Sequence, residues 1–83
     1  MQYFDDVKNI LCDTLGLTGT ARSLTQDSAI MGGIPEFDSM AVVTVLTALE
    51  EHFGITVDDD EISASTFETL GTLVQFVERK LGE

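Results

Sequence analysis

"IPEFDSMAVVTVLTALEEHFGI", residues 34–55, is the stretch on which the fold turns. Within it Val42, Leu46, Leu49 and Phe53 recur at helical spacing, with Asp38 just before the run and Gly54 just after it. The spacing predicts a helix over 39–53 with those four side chains as its buried stripe. An aspartate at that place accepts hydrogen bonds from the unpaired backbone N–H groups of the first turn. Ser39 is then left with its hydroxyl at the mouth of the helix. At about 100° per residue, Met40, Val43, Thr47, Glu50 and Glu51 share a second face, which Ser39 borders. Apolar side chains beside charged ones suit a docking surface, although scattered exposed apolar residues are also ordinary.

A serine nucleophile needs a base within hydrogen-bond reach. His52 is the single histidine of the chain. It follows Ser39 along the same helix, and at about 1.5 Å per residue the two stand roughly 20 Å apart. Asp38 is adjacent, but a carboxylate is a feeble base at neutral pH and the role of helix cap explains it better. The expectation is a chain that is no enzyme by itself: chemistry at Ser39 has to be driven by another protein.

Working outward, Phe4, Val7, Leu11 and Leu15 mark one face of a first helix over 3–15, stopped by Gly16. Residues 16–37, GLTGTARSLTQDSAIMGGIPEF, show no periodicity and are rich in glycine. They are expected to form a long loop anchored by Leu17, Leu24, Ile30, Met31, Ile34 and Phe37. Loops of this length in compact domains are often functional. DDDEISAST, 58–66, suggests a short third helix or turn with acids at its positive end. Thr69 caps a last helix striped by Leu70, Leu73, Val74, Val77 and Leu81, with Arg79 and Lys80 in the final turn and Gly82 after it. Strand alternation is not found, although GITV, 54–57, leaves room for a brief extended piece. The expected fold class is all-α: one domain over 1–83, with three main helices, one short helix and a long loop between the first two.

Fifteen acidic residues against four basic ones give a net charge of -11. Such a charge repels phosphate backbones and anionic lipid and steers basic protein surfaces inward, so nucleic acid is not an expected partner. No apolar run nears the roughly 18 residues of a membrane span, and no signal-peptide pattern opens the chain. A monomer in the cytoplasm is expected. A lone Cys12 allows neither an intramolecular disulfide nor a cysteine zinc site, and it falls off the centre of its helix stripe. The acids at 58–61 lack the alternation and central glycine of a calcium loop, so no metal site is expected beyond weak surface binding of divalent cations. Gly32-Gly33, with no lysine beside it and no strand before it, reads as a turn rather than a phosphate cradle. His52 falls at the edge of the stripe, away from Ser39, as an ordinary boundary residue.

FDSM at 37–40, ALEEHFGI at 48–55 and TFETLGTLVQFV at 66–77, in this order within an acidic chain, resemble the acyl carrier protein family over essentially the whole length. The resemblance implies a four-helix acyl-carrier-like bundle and a carrier rather than a catalyst. It implies that Ser39 receives a 4′-phosphopantetheine arm, drawn from coenzyme A by a separate phosphopantetheinyl transferase, and that acyl groups ride on the arm's thiol as thioesters. For Asp38 it implies presentation of the serine to that transferase as well as the cap. For Met40, Val43, Thr47, Glu50 and Glu51 it implies contact with acyl-transferring or acyl-activating enzymes that carry basic docking surfaces. Three departures stand out. Met40 replaces the commonest leucine, a change that keeps an apolar contact; Ala41 and Thr44 occupy positions often acidic in fatty-acid carriers; and MGGIPEF is a bulkier approach to the serine. They favour a stand-alone carrier of a specialised pathway, fatty-acid- or polyketide-like. The rival readings are a small acidic helical interaction module with unmodified Ser39, and a divalent-cation buffer.

Overall fold

The computed structural model describes residues 3–19, 23–34 and 37–82, the side chains of Asp59 and Ala64 excepted. Arg22 and the Pro35-Glu36 step of the approach to Asp38 lie outside the described residues. Three α-helices form, α1 (Phe4–Leu15), α2 (Ser39–Phe53) and α3 (Leu70–Lys80), and no strand forms among the described residues. The short third helix of the sequence reading is realised as two 3-10 turns, Asp59–Glu61 and Ala64–Phe67. Ser63 separates them: its backbone is extended (φ -130°, ψ 170°), and its N–H donates to Thr66 Oγ1 at 3.2 Å. A serine that takes up this local bond starts a new turn instead of continuing the previous one.

Gly16 and Gly54 end α1 and α2 in the left-handed conformation, at φ 70° and 67°, as the placement of glycine just beyond each run predicts. The Tyr3 ring stands edge-on to Phe53 at 5.6 Å, so α1 begins where α2 ends and the two run antiparallel. Val7 and Leu11 of α1, Val45 and Leu49 of α2, and Leu70, Leu73, Val74 and Val77 of α3 fill the core with Ile30 and Phe67.

Two expectations about these helices are corrected. The α2 stripe is turned: Val45 and Leu49 are buried, while Val42, Leu46 and Phe53 are only partly so. At 100° per residue this moves the buried line by about 50° toward Ala41 and Ala48. Ala48 lines an open surface groove with Ile10, Asp13 and Thr14 of α1, so small side chains of α2 face α1 there, and a pattern of large residues does not report that. Cys12, read as lying off the apolar centre, is fully buried. α1 packs on both α2 and α3, which buries an arc wider than one stripe.

The long loop is tied down by main-chain bonds to the start of α3. Ile30 N–H donates to Glu68 O and Met31 N–H to Phe67 O, both at 3.1 Å; Leu70 N–H donates to Ser28 O at 2.9 Å and Gly71 N–H to Gln26 O at 2.8 Å. The last two satisfy first-turn donors of α3 that no helical carbonyl can reach. Thr69 Oγ1 accepts a third such donor, the Thr72 N–H, at 3.2 Å. Leu17, Ile30, Ile34 and Phe37 are buried anchors and Leu24 is partly covered. Met31, expected among the anchors, is 49% exposed. Gly33 has no room for a side chain, since a Cβ there would stand 2.4 Å from Ala29 O.

Candidate functional site

Phe37 sets the entry to α2. Its N–H donates to Ile34 O at 3.0 Å, and its buried ring packs on Phe67 with centroids 5.4 Å apart. Asp38 follows in an extended conformation, and its Oδ1 accepts the Ala41 N–H at 2.9 Å. Ser39 is therefore the first residue of a capped helix, and it is exposed. Among the described residues its hydroxyl makes no hydrogen bond. Replacing Asp38 by alanine is expected to lower stability by about 0.5–2 kcal/mol, with Asp38→Ser recovering most of it because serine also caps. Equal urea midpoints for Asp38→Ala and the unaltered protein would remove the capping role.

The first turn of α2 contains no acidic residue, and Asp38 at the N-cap is the acid that stands against the positive end of the helix dipole at Ser39. Such an end stabilises an anionic group such as a phosphodiester on the serine oxygen. His52 is exposed in the last turn of α2, edge-on to Phe53 at 4.8 Å, at the opposite end of the helix from Ser39. The one histidine of the helix is therefore out of reach of the serine.

The outward face of α2 carries Met40 at 75% and Val43 at 63% exposure, with Thr47 and Glu51 also exposed. Thr47 Oγ1 donates back to Val43 O at 2.9 Å and Thr44 Oγ1 to Met40 O at 3.2 Å. Those hydroxyl protons are committed to the helix backbone. Glu50, grouped by sequence with this face, is half-buried, and its Oε2 accepts the Val57 N–H at 2.8 Å while its carbonyl accepts the Ile55 N–H at 3.2 Å. It holds the turn after α2. Of the two glutamates, Glu51 is the one that stands clear.

The described basic side chains lie away from Ser39, among acids that include Asp5, Asp6 and Glu61. Lys8 lies over the Phe4 ring at 5.9 Å, beside the end of α2. Arg79 and Lys80 occupy the last turn of α3, and Lys80 Nζ stands 2.7 Å from a Glu61 carboxylate oxygen. The start of α3, by contrast, is seamed to the loop and to Phe67, at the Ser39 end. There the exposed charges among the described residues include Asp27, Asp38 and Glu68.

The family described as the phosphopantetheine attachment site matches residues 5–77 of this chain. The chain is also similar, at 59% identity and a TM-score of 0.91, to holo acyl carrier protein NE2163 from Nitrosomonas europaea, solved in solution by NMR. That match covers 100% of both chains.

Proposed function

We propose, on the premise that this chain belongs to the phosphopantetheine-attachment family and is an acyl carrier protein, that Ser39 is the residue bearing its 4′-phosphopantetheine arm. The observation that carries this is an exposed serine opening a capped helix, unbonded among the described residues and with His52 at the opposite end of that helix. When bound, the arm supplies a thiol on which an acyl group is held as a thioester. The residues of this chain position and present it. Asp38 fixes the helix start, the dipole end of α2 favours the phosphodiester charge, and Met40, Val43 and Thr47 offer apolar contact to partner enzymes. In the attachment step a bond forms between Ser39 Oγ and the phosphorus of coenzyme A that bears pantetheine. The pyrophosphate bond breaks, adenosine 3′,5′-bisphosphate leaves, and the hydroxyl proton passes to a base of the transferase.

We read the chain further as a single carrier domain that works as a cytoplasmic monomer, partnered by a phosphopantetheinyl transferase and by acyl-transferring or acyl-activating enzymes. No helix among the described residues is long and apolar enough to cross a membrane. A specialised pathway is supported by the uncharged start of α2, where Thr44 is exposed and Ala41 half-buried. Incubation with coenzyme A and a broad-specificity transferase is expected to add one phosphopantetheine by intact mass, and peptide mapping to place it on the Ser39 peptide rather than on Ser23 or Ser28. An unmodified protein under conditions that convert a control carrier removes the proposal.

The two glutamates are expected to separate. Glu51→Gln should slow modification roughly two- to threefold at low ionic strength, fading as salt shortens the screening length to about 10 Å at 0.1 M. Glu50→Ala should instead cost about 1–2 kcal/mol of stability, through the unpaired Val57 N–H. Stopped-flow rates across a salt series, with urea melts of both variants, decide it; two variants behaving alike would mean that only overall charge counts.

A further inference from the structure

We propose that Met31 is a docking residue for the enzymes that reach Ser39, so that the contact surface spans two elements, α2 and the loop before it; this rests on Ser39 as the attachment point. Met31, Met40 and Val43 are the large apolar side chains that stand exposed among the described residues, at 49%, 75% and 63%. Met40 and Val43 lie within four residues of the serine. Met31 reaches the same end through packing: its N–H is bonded to Phe67 O, and the Phe67 ring lies on Phe37, two residues before Ser39.

The side chain is held out rather than left loose. Ile30 is buried on one side of the turn and Ile34 on the other. Gly33 N–H and Ile34 N–H both return to Ile30 O, at 3.2 and 3.1 Å. Gly32 sits at φ 84°, and a Cβ on Gly33 would strike Ala29 O. A fixed backbone that presents an apolar side chain to water gives a partner a contact with little ordering still to lose, and methionine adapts to surfaces of different shape. The occupant is a protein surface with an apolar centre and a lysine- or arginine-rich rim, because the exposed charged residues Asp27, Asp38 and Glu68 at this end are all acidic.

A broad-specificity phosphopantetheinyl transferase with coenzyme A serves as the probe enzyme, and the KM for the carrier is read for the unaltered protein, Met31→Gln, Met31→Ser and Met31→Leu. Urea midpoints check that all four are equally folded. Both polar variants are expected to raise KM roughly five- to tenfold with kcat nearly unchanged, and Met31→Leu to stay near the starting value. The loss should persist at high salt, unlike that of Glu51→Gln. Unchanged KM in the polar variants overturns the proposal. So does unchanged KM with faster hydrolysis of a loaded thioester, which would put the acyl chain rather than an enzyme on Met31. If the unaltered protein is modified elsewhere or not at all, the Ser39 assignment falls and this proposal with it; if it is modified at Ser39 with no Met31 effect, this proposal falls alone.

Discussion

Ser39→Ala is expected to leave the protein unmodified by coenzyme A and transferase, with its mass unchanged, while its stability stays within about 0.5 kcal/mol of the original. The loss is complete because it removes the attacking oxygen. The fold is untouched because the cap depends on Asp38, whose carboxylate bonds to Ala41 N–H, and because Ser39 is exposed. No other hydroxyl reproduces its setting. Thr25 N–H and Oγ1 bond the Ser28 hydroxyl at 2.9 and 3.3 Å, and neither residue opens a capped α-helix. Modification that survives in Ser39→Ala would sink the assignment, whatever the yield with the unaltered protein.

Gly71→Ala is expected to destabilise by about 1–3 kcal/mol, the range for forcing extra atoms into a packed interior. Helix propensity alone argues the opposite sign. Residue 71 is in the first turn of α3, and alanine is better than glycine in a helix by about 1 kcal/mol. The seam decides between them. A Cβ on Gly71 would stand 2.8 Å from Gln26 O and 3.2 Å from Gln26 Cβ, and that carbonyl already accepts the Gly71 N–H at 2.8 Å. The obstacle is backbone, so relief requires the loop to lift off α3 and weaken the bonds beside it. For a domain of this size such a loss is a large share of the total. A urea midpoint equal to or above that of the unaltered protein, at the same m-value, would show that the seam yields freely.

Much of the site was legible in the residues. Asp38 followed by Ser39 and a periodic run marks a capped helix start in any context, because the cap is a bond between a side chain and a backbone N–H three residues away. Thr69 marks a helix start for the same reason, and Gly16 and Gly54 mark helix ends because glycine adopts the left-handed conformation freely. Met31 counts as an anchor on its apolar character alone; the signal against it is the Gly32-Gly33 pair beside it, which points to a turn. Glu50 and Glu51 stand about 100° apart on a helical wheel, both off the apolar stripe. They part because Val57, seven residues after Glu50, folds back to donate to it.

By itself, then, the sequence determined the elements whose causes lie within a turn or two of chain: three helices, their caps and stops, a serine at a helix mouth, and a strong negative charge. The tertiary structure decided what depends on distant segments meeting. Which side of α2 is buried, the line of Val45 and Leu49, was settled by the packing of α1 on α2. Cys12 became core because α1 lies against two helices at once. The long loop acquired one conformation from the carbonyls of Gln26 and Ser28 meeting the open end of α3, and Met31 was left outside by that same docking. Periodicity reports a helix's own faces; it carries no record of which neighbour arrives, at what angle, or whose unpaired backbone groups that neighbour satisfies.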